Sequence, residues 1–287
     1  MTKDNFDVLW DYNQSAATEA RFRELLPQLA DDPARQAELL TQIARAQGLQ
    51  RQFDEAHATL DSVEAQMATI PVRVRIRYLL ERGRVYRSSS MVDAARPFFL
   101  EAWEVAQPAG EDNYAIDAAH MMAIIEPPTE QRRWHQLALD LTEQTTDPEA
   151  KKWAGSLNNN LGWSYFEEGD YTAALDCFTK ALTVREAQGK AGPIHIARWS
   201  VAKTLRLLGR VDEALVIQEA LAAAEQLGGP DGYVYEELGE CYLLRQETAK
   251  ATNAFAQAYT LLSQDEWLVA NEGERLARIQ MLGQTSQ

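Results

Sequence analysis

Six arginines crowd the segment Val72–Arg87, at positions 73, 75, 77, 82, 84 and 87. At about 100° per residue on a helix, Arg73, Arg77, Arg84 and Arg87 share one stripe, while Arg75 and Arg82 point away. A guanidinium offers a planar fork of donors to a carboxylate or a phosphate. Residues 73–87 carry a net +5 in a chain whose formal charge is −15, so the remainder carries −20. Local contrast of this kind points to binding of an anionic group. Reaction chemistry finds no comparable support. His57, His120, His135 and His195 lack metal-ligand spacing such as HExxH, and no GxSxG elbow, P-loop or GxGxxG occurs. The acids of Glu167-Glu168 and Glu236-Glu237 are adjacent, so each pair diverges on a helix. Cys177 and Cys241 stand without CxxC spacing and read as small apolar residues of helices. The expectation is a non-enzymatic chain with no cofactor, metal or catalytic set.

The elements that must hold these arginines are helices in pairs. The clearest pair is Leu157–Gln188, with Leu161-Gly162 and Tyr165 in a first helix, Gly169 at the turn, and Tyr171, Ala174, Phe178 and Ala181 in a second. The small Gly162 and Ala174 are expected to face each other so that the helices approach closely. Gly169 falls where the chain turns and φ > 0 is favoured. Copies recur at Leu238-Gly239, Tyr242, Ala251, Phe255 and Ala258, and at Val201-Ala202, Leu205, Gly209, Ala214 and Leu221, with Gln218 in place of the aromatic. Upstream lie Ile43-Ala44, Phe53, Ala56 and Leu60, then Gly83, Tyr86, Ala95, Phe99 and Ala102. A degenerate copy holds Ala118-Ala119 and Met122, a break at Pro127-Pro128, and a second helix over about 129–143 with Trp134 near a usually small position.

This pattern resembles the tetratricopeptide repeat. A period near 40 residues signals an α-solenoid, and the resemblance implies an all-α, right-handed α-solenoid of about six helix pairs. The first-helix anchors fall at 44, 83, 119, 162, 202 and 239, at gaps of 39, 36, 43, 40 and 37 that all exceed the 34 usual in the repeat. Pro33, Pro71, Pro148 and Pro193 stand several residues before the usual first position, with Asp32 and Asp147 as N-caps of two of them. The first helices are therefore expected to be longer by about a turn. Long repeats with paired asparagines, as at Asn158–Asn160, resemble kinesin light chains and bacterial peptide-sensing regulators. The expected organisation is one solenoid over 1–287: a capping segment 1–32, repeats at 33–69, 71–108, 112–146, 148–190, 193–228 and 231–264, and a closing helix in 265–287.

The resemblance also implies that first helices line a concave groove. Its register selects Arg45, then Arg73, Arg77, Arg84 and Arg87, then His120, then Asn159, Trp163 and Phe166, then Trp199, Lys203 and Arg206, and last Tyr233, Glu236 and Glu240. The groove is then basic and aromatic for most of its length and acidic at its end, which suits a protein or peptide segment carrying acids. Asparagine adds a donor and an acceptor for an extended backbone. Two uses of the arginines stay open: a ligand's carboxylates, or acids on neighbouring helices such as Glu81, Glu101, Glu104 and Glu111. Trp163, Trp199 and Phe166 are open between groove contact and packing between repeats. His120 reads as a structural polar residue. The lysine and asparagine clamp used in this family for acidic chaperone C-termini is absent, since Thr41, Arg45, Glu81, Asn113 and Asp117 occupy its positions.

The bulk properties agree. Hydrophobic residues make up 46% and charged residues 25%, ordinary values for a soluble globular chain. The charge of −15 disfavours nucleic acid and anionic membranes as partners. No apolar run approaches the ~20 residues of a membrane span, and the first residues lack the features of a secretory signal. A cytoplasmic binding scaffold is the resulting expectation. A ligand-responsive regulator is the alternative, and self-association through exposed repeat edges is a third reading.

Overall fold

The computed structural model describes residues 6–224 and 229–284, and among these the regular elements are all helices. The expected repeat end at 225–228 and the outermost parts of both caps lie outside the described residues. The chain forms two compact units, Met1–Trp153 and Ala154–Gln287.

The first unit opens with a 3-10 turn, Phe6–Leu9, and helix α1 (Ser15–Leu25), which ends in a second 3-10 turn, Leu26–Leu29. Three helix pairs follow: α2 (Pro33–Leu49) with α3 (Phe53–Glu64), α4 (Val72–Ser88) with α5 (Val92–Ala106), and α6 (Asp112–Ile125) with α7 (Pro128–Gln144). The short α8 (Pro148–Lys151) completes it. The second unit has α9 (Ala154–Glu167) with α10 (Tyr171–Gln188), α11 (Ala191–Leu207) with α12 (Val211–Ala223), and α13 (Gly232–Leu244) with α14 (Thr248–Leu262). Two short helices, α15 (Glu266–Asn271) and α16 (Gly273–Leu282), stand where one closing helix was expected. Leu268, Leu276 and Ile279 are buried there, whereas Trp267 and Met281 face solvent.

The helix starts follow their caps. Asp32 accepts from the Arg35 N–H and Asp147 from the Glu149 N–H, each with a proline at the first helical position. The expected extra turn is realised in α2, α4 and α11, which each run 17 residues. It is not realised continuously at Pro148, where α8 stops after four residues and α9 restarts at Ala154.

Inside a pair, the aromatic of the second helix fills the space that the first-helix glycine leaves. A Cβ on Gly162 would stand 2.6 Å from the Phe178 ring, on Gly83 2.5 Å from Phe99, and on Gly239 2.8 Å from Phe255. The glycine is thus a socket for the aromatic of its own pair, and all three phenylalanines are fully buried. The turn between paired helices is equally regular. Gly169 and Gly209 have φ of +82° and +77°, and the equivalent Arg51, Ser90 and Gln246 adopt the same left-handed region without being glycine. Trp134 of the degenerate pair meets Trp103 of α5, in the preceding pair, edge to face at 5.7 Å.

Candidate functional site

In the first unit, α2, α4 and α6 present Arg45, the arginine stripe and His120, and most of these cations have partners within the chain. Arg77 is buried. Its Nη2 donates to Asp7 Oδ1 at 2.6 Å, and its Nη1 to the Tyr114 hydroxyl at 2.5 Å and to Glu38 Oε1 at 3.4 Å. Burial pushes the Tyr114 hydroxyl up to about 12, so it stays neutral and can accept this bond. Arg84 donates to Glu81 at 2.6 Å and to both oxygens of Asp117 at 2.5 Å. Arg45 donates to Glu81 at 3.0 Å, while its own Nε–H is buried without an acceptor. The exposed Arg73 reaches Glu111 at 3.0 Å. Arg75 and Arg82, which point away from the stripe, bond Glu101 and Asp61.

Arg87 differs from all of these. It is exposed, and it makes no ion pair or hydrogen bond with any described residue. Beside it lies a cavity of about 200 Å3 lined by Arg45, Leu49, Arg84, Val85, Arg87 and Met121, with Glu81 as its one acid. A second cavity of about 200 Å3 on the same face is bordered by Asp7, Tyr12, Gln42, Arg45, Arg77 and Tyr114.

Much of that second cavity is closed by the start of the chain. Phe6 is buried against Phe22, Leu39 and Ile43, and Arg35 lies 4.3 Å from its ring centroid. Trp10 donates to the Gln42 side chain at 2.9 Å and stacks on Tyr12 at 4.9 Å, with the Arg45 guanidinium 5.5 Å from the Tyr12 ring. An acid and two aromatics of the chain itself therefore occupy the positions on Arg77 and Arg45 that sequence reasoning left open for a ligand. The segment 6–12, with Phe6, Leu9 and Trp10 among acids, carries the signal that could have revealed this.

His120 and His135 lie behind this face with ring centroids 6.4 Å apart. His120 Nδ1 and both nitrogens of His135 are buried without hydrogen-bond partners. Burial first, and then the neighbouring His120, push His135 down to about 4. Burial also lowers His120, aided by Arg84 and Arg87 against Asp117. Both rings are neutral at neutral pH. Among the described residues no group of three or more His, Cys, Asp or Glu is placed to hold a metal ion.

In the second unit, α9, α11 and α13 carry a ladder of half-buried aromatics. Trp163 and Trp199 lie 6.0 Å apart, Trp199 and Tyr233 6.1 Å, and the Trp199 Nε1–H donates to the Tyr233 carbonyl at 3.2 Å. Trp163 also packs edge to face on Phe166 and Phe178. Lys203 and Arg206 converge on Glu237 at 2.8 and 2.7 Å. Burial alone would raise the Glu237 carboxyl, but Arg206 and Lys203 hold it below the usual range. The acids Glu236 and Glu240 are taken up by Arg275 and Arg278 of α16. Asn159 donates to the Asn160 side chain at 3.3 Å, and Asn158 to the Ala154 carbonyl at 2.8 Å.

Comparison with known proteins gives one sequence match and many structural ones. The family model of the tetratricopeptide repeat matches residues 157–187. No curated protein sequence matches the chain. The apo form of the quorum sensor NprR from B. thuringiensis superposes with a TM-score of 0.61 at 15% identity, over 95% of this chain and 83% of that one. BtubC from P. vanneervenii gives 0.58 at 16%, over 77% and 96%. NprR in complex with its cognate peptide NprX gives 0.52 at 16%, over 93% and 78%.

Proposed function

We propose that this chain, with a tetratricopeptide repeat matched at 157–187 and an all-helical fold of paired helices, is a non-enzymatic scaffold for a protein or peptide segment carrying acids. The observation that carries the reading is the first-helix face of the first unit. Buried and half-buried arginines line it, and Arg87 stands there uncompensated beside an open cavity. Arg45, Arg73, Arg77 and Arg84 already meet carboxylates of the chain, so the acidic end of a bound segment goes to Arg87. Arg45, Arg73, Arg77 and Arg84 shape and preorganise that face, with His120 behind it. In the second unit Asn159, Trp163 and Trp199 offer rigid area with polar handles to a backbone, while Lys203 and Arg206 position the ladder through Glu237. A structural relative crystallised with its cognate peptide supports a fold that can hold one.

Selection of peptides from a random display library tests this. Selected peptides are expected to contain Asp or Glu and to bind Arg87→Glu at least about tenfold more weakly, since a lost charge-assisted contact is worth about 1.5–3 kcal/mol. Arg133→Glu, on a second helix, should bind as wild type. Acid-free selected peptides, or equal affinity for Arg87→Glu, would refute the reading. A regulatory role, in which a bound peptide changes the solenoid, remains the alternative, and a change in scattering radius on peptide addition would mark it.

A further inference from the structure

We propose that the cavity between α2, α4 and α6 is a binding site for a carboxylate borne next to a short branched aliphatic group. The inference rests on the reading of this face as the ligand face and names the chemistry it selects.

Three features of the cavity converge on that ligand. The first is charge. Arg45, Arg84 and Arg87 line it against the single acid Glu81, and Glu81 is shared by Arg45 and Arg84. Asp117 completes Arg84, so the excess positive charge resides on Arg87, which has no partner among the described residues. A carboxylate matches the planar fork of that guanidinium. The second feature is the wall. Leu49, Val85 and Met121 form the apolar side, and Leu49 is half exposed at its edge. A bare phosphate or a hydrated acidic side chain would leave that wall wet. The third is size. About 200 Å3 lies below the roughly 300–1,000 Å3 of a pocket for a drug-sized ligand. It therefore suits one residue or one small acid rather than a long stretch of peptide.

The same chemistry occurs in two sources: the free C-terminus of a peptide ending in an aliphatic residue, and a small branched carboxylic acid. Either would sit with its carboxylate on Arg87 and its methyl groups on Met121, Val85 and Leu49. The other cavity on this face is not available in the same way, because Asp7 already holds Arg77.

Titration followed by methyl NMR of the full chain labelled at its methionines tests the site, with Met121 assigned through Met121→Leu. N-acetyl-L-leucine and 3-methylbutanoate are expected to shift the Met121 methyl saturably in the millimolar range, as fits ligands of so few atoms. N-acetyl-L-leucinamide, isosteric but neutral, should leave it unmoved. Acetate should bind at least about tenfold more weakly, since it lacks the carbons that bury against the wall. Arg87→Gln should abolish the shift by both acids without moving the thermal midpoint, because Arg87 is exposed and has no partner among the described residues. Tighter binding of N-acetyl-L-leucine identifies the peptide terminus as the source, and tighter binding of 3-methylbutanoate the small acid. The proposal is overturned by an amide that shifts Met121 as the acid does, by acetate of equal affinity, by an undiminished shift in Arg87→Gln, or by no saturable shift in the wild type. If the acids fail while selected peptides still depend on Arg87, this proposal falls and the scaffold reading stands. If the peptides also ignore Arg87, both fall.

Discussion

Arg45, Arg73, Arg77 and Arg84, with Lys203 and Arg206, each meet a carboxylate within their own unit, and this decides what their substitution would report. Arg77 is the extreme case, at 5% exposure between Asp7, Glu38 and Tyr114. Removing one member of a buried pair costs more than the pair contributes, because the other charge stays behind. Arg77→Ala is therefore expected to lose about 3 kcal/mol of stability in urea denaturation, and a loss under about 1 kcal/mol would contradict the burial argument. Loss of binding in that variant would say nothing about a ligand, whereas Arg87→Gln gives a clean answer. His135 gives a pH prediction of definite sign. Its pKa is near 4 in the folded chain and about 6.5 when unfolded. Between these values the unfolded chain binds more protons, so stability is full above pH 6.5 and falls as pH drops towards 4. The loss is roughly 3 kcal/mol for the single group. Replacing His135 with Leu should remove that component of the pH dependence. An unchanged profile between pH 6.5 and 4 would show that the ring is not a buried neutral base.

At the scale of elements, the glycine–phenylalanine socket repeats in three pairs and fails instructively in a fourth. In the pair α11–α12 the anchor is Ala202, and Gln218 stands where Phe178 and Phe255 stand in their pairs. Gln218 is fully buried, and neither its amide oxygen nor its nitrogen finds a partner. In the pair α2–α3 the equivalent of Gln218 is Leu60, opposite Ala44, and it too is fully buried. Gln218→Leu is accordingly expected to raise stability by about 1–3 kcal/mol, the cost of a buried unsatisfied amide. An unchanged or lowered urea midpoint would mean that a water satisfies the amide. The helices, their order and the turn at Gly169 were legible from period and anchor residues, because side-chain size and φ > 0 leave local marks. What the anchors face was not legible. The nearest side chain to Gly162 is Phe178, since a small residue says only that something comes close, not what. The break between α8 and α9 was equally hidden, because Asp147-Pro148 marks a helix start but not its length.

For the molecule as a whole, a net charge of −15 coexists with a cationic face, and ion pairs within the chain consume most of this contrast. Helical spacing put these arginines on one helix, α4, but could not show which acids answer them. Asp7 and Glu38 lie 70 and 39 residues from Arg77 in sequence, and only folding brings them to it. Arg87 alone of the α4 stripe was left over, and sequence spacing treated it as equivalent to Arg73, Arg77 and Arg84. The central proposed contact is between an acid-bearing ligand and the first-helix face of the first unit, at the mouth of the cavity beside Arg87. Site-specific photo-crosslinking tests it most directly. A photoreactive phenylalanine analogue at Leu49, exposed at that cavity, is compared with one at Val216, exposed on α12. A selected acidic peptide is expected to crosslink at position 49, to fail at 216, and to lose the adduct when Arg87→Gln is added. Equal crosslinking at both positions, or an adduct at 49 that is indifferent to Arg87, would contradict the account.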